Sequence, residues 1–557
     1  MQKKAKMSLE KRHNLTGWAF LIPAALLIFI FCFYPMVQAL ILSFSKKGTG
    51  GSTFVGLANY QRILKDKTFQ QCLFNTVFYF IIQVPVMLVL ALGLAQLLNN
   101  PKIKGKGIFR TLIFLPCATS LVSYSMIFKS LFAQDGLVNN VITAIGFSRI
   151  DWFQNAWAAR WVIILALIWR WTGYNMVFYL AGLQNIDYSV YEASYIDGAT
   201  PFQQFLKITV PLLKPTILLT AIMSTSGTLQ LFDESVNLTA GGPGKSTMTL
   251  AHYIYNISFV ETPKFNYAAA LSVFILVSVA ILSAIQMTSV TKVKTAFSYV
   301  ILILASFLSA FPLYYMICGA TNTSIDIVRG RLLPGTHLLE NFQTLIATQN
   351  LGRAMFNSFR NAIIITVVAL LVCSIAGYGF EIYHDKGKDI LMSILLLAMM
   401  LPFVAIMIPL FKMFSAWKLV NTWIALALPS ISTPFLIMMF RQAARSFPHD
   451  IIEASRLEGL SEIKIFFTMF LPIMKSTYGA AMTVTFMNAW NNYLWPTIIL
   501  QDKNQITMPM LVANLKSGYS VDYGMLMLGV LICTLPTAVI FLCLQKSFAN
   551  GIAGAVK

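Results

Sequence analysis

Charge is scarce in this chain. Only 11% of its 557 residues are Asp, Glu, Lys or Arg and just 21 are acidic, while 57% are hydrophobic and the mean hydropathy is +0.70. A water-soluble domain of this length could not hide so much apolar side chain, which excludes the soluble classes and points to a polytopic membrane protein. Histidine is thin as well: His13, His252, His337, His384 and His449 are dispersed, mostly in loops. The seven cysteines (Cys32, Cys72, Cys117, Cys318, Cys373, Cys533, Cys543) are scattered, nearly all in apolar segments, with no CxxC or Cys/His cluster. That spacing implies no metal site and no disulfide framework. No acid/base, nucleophile or metal constellation stands out, so no catalytic residue is assigned and a membrane enzyme is disfavoured.

What the chain has in quantity is long apolar runs. About twelve are long enough to cross a hydrocarbon core of roughly 30 Å as helices. They lie near 15–44, 72–98, 108–132, 157–183, 208–232 and 266–286, then near 294–318, 358–383, 389–414, 421–440, 466–500 and 523–545. The run 466–500 is too long for one simple span. A barrel would need shorter, alternating segments, so the expected fold is all-α. The net charge of +20 does not mark a nucleic-acid binder, because the basic residues sit in short loops beside helix ends. Lys3, Lys4, Lys6, Lys11 and Arg12 precede the first run, Lys102, Lys104 and Lys106 follow the second, and Lys386 and Lys388 follow the eighth. The positive-inside rule then puts both termini in the cytoplasm of a bacterial or archaeal cell, with the chain multi-pass in its (inner) membrane. Lys46, Lys47, Arg62, Lys65 and Lys67 run against that rule. The first apolar run is too long for a signal peptide and reads as a retained helix.

The chain repeats itself. Glu192-Ala193-Ser194-Tyr195-Ile196-Asp197-Gly198 leads to Val210-Pro211, and Glu453-Ala454-Ser455-Arg456-Leu457-Glu458-Gly459 leads to Leu471-Pro472. Glu to Gly is six positions and Gly to Pro thirteen in both copies. Other pairs keep step: Phe74-Asn75-Thr76 with Phe356-Asn357-Ser358, Leu115-Pro116 with Leu401-Pro402, and Leu137-Val138-Asn139 with Leu419-Val420-Asn421. With six helices per half the repeats run parallel, giving two pseudo-symmetric halves, 1–286 and 287–557, of the kind that enclose a pathway between them. The seam near Met287–Lys292 has no soluble linker and fits either a natural fusion or two subunits joined at Met287. In each polar loop the glycine permits a sharp turn and the prolines break the helix as it re-enters the membrane. Two matched polar loops suggest two docking points for a partner in the water phase.

These loops resemble the "EAA" motif of ATP-binding cassette (ABC) importer permeases, E-A-A, three residues, G, then I-x-L-P, with serine at the third position in both copies. Phe232-Asp233 followed by Leu238-Thr239-Ala240-Gly241-Gly242-Pro243 is similar to a segment of maltose-type sugar permeases. Trp490-Asn491-Asn492-Tyr493-Leu494-Trp495-Pro496 is similar to a segment of their partner subunit. The resemblance covers nearly the whole chain, and implies both transmembrane subunits of a carbohydrate-uptake importer in one polypeptide. It implies that Glu192, Ala193, Gly198, Glu453, Ala454 and Gly459 form coupling helices seated on a cytoplasmic ABC ATPase dimer. That dimer would bind ATP and Mg, with no cofactor in this chain. It also implies an extracytoplasmic solute-binding protein that delivers a sugar or oligosaccharide.

Gly241-Gly242-Pro243-Gly244-Lys245-Ser246-Thr247 nearly spells a P-loop, but Thr239 stands where its first glycine belongs, and no strand precedes it. It reads as an extracellular turn. No stretch between spans exceeds about forty residues, which leaves no room for a nucleotide-binding domain. Intramembrane polar residues are expensive unless they line a cavity or pair. Tyr174, Asn175 and Gln230 are therefore candidate sugar contacts, with helix packing the competing role. The rival function is a secondary transporter driven by an ion gradient. It would call for ionisable groups within the spans, and only Arg170, Lys129 and Asp233 stand out, near helix ends.

Overall fold

In hydrocarbon a backbone N–H or C=O finds no water, so an apolar run satisfies its polar groups within its own helix. The computed structural model describes residues 9–48, 51–99, 103, 105–184, 186–288, 298–515 and 522–555. Among them the sole sheet is the hairpin of Ser45–Gly48 with Gly51–Phe54. Six helices among the described residues are long and apolar enough to span: Asn14–Ser43, Lys67–Asn99, Ala156–Gln184, Phe265–Leu282, Leu351–Ile382 and Tyr523–Gln545. Three further helix pairs among the described residues are apolar enough to cross when each is taken together, bent by 98° between Lys106–Ala118 and Leu121–Leu131, by 63° after Leu212, and by 47° before Pro434. Proline explains the breaks, since it removes a helical donor and crowds the preceding turn. Pro116, Pro215 and Pro434 sit at the three bends.

The other three expected spans differ in kind. Ser298–Ala320 is a helix, described only in part at the level of side chains. The stretch 389–414 is interrupted at Leu401-Pro402, with Phe403–Ala416 continuing beyond. The overlong run 466–500 divides into a π-turn at Phe466–Phe470, helix Lys475–Asn491 and helix Leu494–Ile499. The seam Met287–Lys292 falls at and beyond the edge of the described residues, and Lys3, Lys4, Lys6, Lys102 and Lys104 lie outside them.

The halves exchange their opening helices. Leu9–Ile28 packs on Leu351–Ile382 of the second half, while Ser298–Ala320 packs on Lys106–Ala118 of the first as well as on Tyr523–Ala555. Phe114 and Phe541 stack across the halves with centroids 4.1 Å apart. Ile81, Val367 and Val539 remain more than half exposed on spanning helices. Hydrocarbon is a solvent in which such faces cost nothing.

The repeated Asn-Thr and Asn-Ser pairs are matched clamps. Asn75 Nδ2 donates to the carbonyls of Lys245 (3.1 Å) and Met248 (2.9 Å), and Thr76 Oγ1 accepts from Leu250 N–H at 3.2 Å. Asn357 Nδ2 donates to the carbonyls of Asn504 (2.9 Å) and Ile506 (3.1 Å), and Ser358 Oγ accepts from Met508 N–H at 2.7 Å. An irregular loop carries backbone groups that no helix satisfies. Each clamp binds such a loop to the second helix of its half, so the internal symmetry extends to single hydrogen bonds.

Candidate functional site

Both polar loops fold the same way. Tyr188–Ile196 and His449–Leu457 are nine-residue helices. Each ends in a glycine in the left-handed region, Gly198 at φ +75° and Gly459 at φ +80°. The same three capping bonds close each helix: Asp197 N–H to Ala193 O, Gly198 N–H to Tyr195 O and Ala199 N–H to Ser194 O in the first, Glu458 to Ala454, Gly459 to Arg456 and Leu460 to Ser455 in the second. This is the glycine-terminated cap expected where a helix reverses. The chain then forms a short helix, a π-turn (Phe205–Thr209; Phe466–Phe470) and a three-residue helix carrying the proline.

The serines at the third motif position face inward. Ser194 Oγ donates to Tyr191 O and accepts from Gln204 Nε2, and Ser455 Oγ donates to Ile451 O. Glu192, Ala193, Glu453 and Ala454 are exposed. Beside them stand bare apolar side chains, Tyr195 at 78%, Ile196 at 83% and Leu457 at 89% exposure. Counting each bent pair as one span, four spans among the described residues precede the first loop and eight the second; the even difference puts both loops at the same end of the bundle. The loops differ in how they are braced. In the second, Arg456 grips Glu462 with Nε–Oε1 at 2.7 Å and Nη2–Oε2 at 3.2 Å. Burial alone would lower the Arg456 pKa, but that carboxylate raises it above the ordinary value.

Tyr174, Asn175 and Gln230 all border one cavity of about 480 Å³ between the halves. Tyr174 stands edge-on to Trp171, centroids 5.7 Å apart at 87°. Both amides make bonds within the protein. Asn175 Nδ2 donates to Trp171 O at 3.0 Å. Gln230 Nε2 donates to Ser226 Oγ at 2.9 Å, while its Oε1 accepts from Phe403 N–H at 2.7 Å. Gln230 thus ties the first half to the backbone just past the Leu401-Pro402 break. Sequence reasoning missed the far wall, where Asn488, Asn491 and Asn492 of the second half line the same cavity. A second cavity of about 440 Å³ continues from it past Tyr174, Asn488 and Asn492.

The ionisable groups here are neither few nor peripheral. Arg170 (3% exposed) and Glu234 (2% exposed) are buried and border the cavity together with Asp233. Tyr124 donates its hydroxyl to Glu234, and its ring lies 4.9 Å from the Arg170 guanidinium, which itself donates to Thr119 O. Glu234 escaped notice because it falls where the apolar run ends. Its burial comes from neighbouring elements, which a hydropathy profile does not register.

The glycine-rich segment is a self-contained turn. Its N–H groups serve the protein: Gly241 to Ser235 O, Gly242 to Thr239 O, Ser246 to Pro243 O and Thr247 to Gly241 O. A phosphate cradle needs such groups pointing outward.

The family profile described as "Binding-protein-dependent transport system inner membrane component" matches residues 73–295 and again 382–554. The chain is 50% identical over 286 residues to the lactose transport system permease protein LacF of Rhizobium radiobacter, covering 51% of this chain and 96% of that protein. It is 43% identical over 259 residues to LacG, a lactose transport system permease protein of the same organism, covering 46% of this chain and 95% of that one. With the arabinooligosaccharides transport system permease protein AraQ of Bacillus subtilis (strain 168) it shares 34% identity over 258 residues, 45% of this chain and 92% of the relative. Each alignment occupies about half of this chain and nearly all of the relative.

Proposed function

The chain belongs to the family of binding-protein-dependent transport system inner membrane components, with two permease units in one polypeptide, and from that premise we propose that it forms the whole transmembrane pathway of an ABC importer for sugars or short oligosaccharides. The observation that carries this reading is the pair of identically capped helix–glycine–helix loops at one end of the bundle. Each loop is a coupling helix. Glu192 and Glu453 supply charge at its rim, Ala193 and Ala454 allow close approach, and Tyr195, Ile196 and Leu457 fill the partner's cleft. Exposed apolar tips on an otherwise polar loop are what a docking surface requires.

The partner is a dimer of a separate cytoplasmic ATPase that binds ATP and Mg, the permease itself having no ATPase domain, and both termini face that side. Closure of the dimer draws the coupling helices together. The rigid bracing of each loop to its re-entering helix carries that motion to the halves, and the cavity switches from inward- to outward-facing. A solute-binding protein delivers the sugar at the opposite face. Two relatives carry lactose transport in their names, which makes lactose the test saccharide.

The test is a pull-down from detergent of the unmodified chain and of the Glu192→Ala/Glu453→Ala double variant, alongside lactose uptake. The ATPase co-purifies with the former and is lost or weakened with the latter, and uptake requires ATP. Uptake that instead follows a proton or sodium gradient, with no ATPase bound, overturns the reading in favour of an ion-driven transporter.

A further inference from the structure

Three side chains that border the 480 Å³ cavity each carry a buried polar atom with no hydrogen-bond partner among the described residues: Asp233 Oδ1, Arg170 Nε and Asn491 Oδ1. Arg170 and Asn491 are more than nine-tenths buried, at 3% and 6% exposure. A buried polar group left unmatched is costly, and such groups call for an explanation one by one. Other unmatched atoms, on Tyr79 and Thr366, belong to residues that do not border the cavity. The three that do come from three different helices, Ala156–Gln184, Asp233–Asn237 and Lys475–Asn491, and so from both halves.

Their chemistry narrows the ligand. Two carry oxygens able to accept and one carries an N–H that donates, beside the rings of Trp171 and Tyr174. Glu234 is not part of this set, since the Tyr124 hydroxyl occupies it. A hydroxyl both donates and accepts, so a polyol ring can meet donor and acceptors at once while laying an apolar face on an aromatic ring. A purely apolar ligand would leave all three unmatched.

We propose that the saccharide site is shared between the halves, with Asp233 and Arg170 holding hydroxyls from one side and Asn491 holding another from the second half. This rests on the sugar-import reading above. It makes Asn491 a specificity-determining residue and gives the second half a direct part in loading the cavity, besides its part in coupling.

The experiment measures uptake of carbon-14 lactose at saturating concentration by the assembled transporter, full chain with ATPase and binding protein. Membrane abundance and co-purified ATPase serve as folding controls. Asn491→Ala and Asp233→Ala each lower the rate roughly three- to tenfold, the loss of one net hydrogen bond from the hand-over equilibrium. Asn491→Thr and Asp233→Asn keep an oxygen acceptor in a similar volume without adding a buried charge and hold the rate within about twofold of the unmodified protein, since the bond they preserve is the one at issue. Uptake untouched by Asn491→Ala, whatever Asp233→Ala does, confines the site to the first half and overturns the proposal. Equal losses in the alanine and acceptor-keeping variants also overturn it, because they reduce the role to packing. An unmodified transporter that takes up neither lactose nor any other saccharide of a mono- and oligosaccharide panel defeats the sugar reading itself, and the proposal with it, before any variant is compared.

Discussion

Replacing Gly198 or Gly459 by alanine tests whether the proposed coupling turn works through its backbone shape. Both residues sit at positive φ, +75° and +80°. A Cβ built on either one would meet no atom within 4 Å. Steric clash with neighbours is therefore absent, and the cost of alanine is the left-handed backbone alone, about 1–2 kcal/mol. That corresponds to a factor of about 5 to 30 in an equilibrium. The turn is exposed, so an alanine loop relaxes when undocked and must be forced back to dock. The cost then appears in docking rather than in folding. Each alanine variant is expected to keep its thermal midpoint in detergent while its affinity for the purified ATPase falls about 5- to 30-fold, read by titration on immobilised permease. Asparagine tolerates the left-handed region far better, so Gly198→Asn and Gly459→Asn recover most of the affinity. Valine, branched at Cβ, does worse than alanine. Alanine, asparagine and valine variants that dock equally well would refute the reasoning. So would an alanine variant whose thermal midpoint drops while its docking is unchanged.

The clamps give a graded comparison. Asn75→Ala removes two bonds to the Lys245–Met248 turn and also the acceptor of Arg160 Nε (3.3 Å) and Nη2 (3.2 Å). It should destabilise more than Asn357→Ala, the latter by about 1–3 kcal/mol, as measured by thermal unfolding in detergent. Gln230→Leu deprives the Phe403 N–H of its acceptor at 2.7 Å. A loss of about 1–3 kcal/mol is expected, with a lower thermal midpoint. Asp66 supplies a pH test. Burial alone would raise its pKa, but bonds from the Tyr267 and Tyr253 hydroxyls and the Phe69 and Thr68 N–H groups hold it below the ordinary carboxylate value. A folded pKa below the unfolded one means stability that is fully present above about pH 4 and lost as pH falls through the depressed value. Asp66→Asn should flatten that acid limb in a stability–pH series while the neutral-pH limb keeps its slope.

The two capped loops were legible in the sequence and the walls of the cavity between the halves only by half, and the difference has a physical cause. A turn that needs positive φ leaves a glycine, and a helix that must stop on re-entering the membrane leaves a proline. Gly198, Pro211, Gly459 and Pro472 therefore mark the loop geometry locally, in chain order. The transmembrane spans were legible for a related reason, since hydrocarbon demands an unbroken apolar run, and the interruptions at Pro116 and Pro215 are proline's own. A cavity wall carries no such local signature. Asn491 and Asp233 lie 258 positions apart in the chain, and nothing in either segment shows that they border one space. The clamp residues were visible as a repeat but not as clamps, because Asn75 and Asn357 act on loops about 150 residues or more downstream. Gln230 shows the reverse problem. It was singled out as a polar group too costly to leave in hydrocarbon, and the structure gives its acceptor to Phe403 and its donor to Ser226. Expense identifies a polar residue that must be matched, and only the fold decides whether the match is a neighbour or a ligand. Asn491 Oδ1 has no match among the described residues, whereas Gln230 has internal matches and still borders the cavity. The site is therefore better sought among the acceptors the fold leaves unmatched than among the polar residues that stand out in sequence.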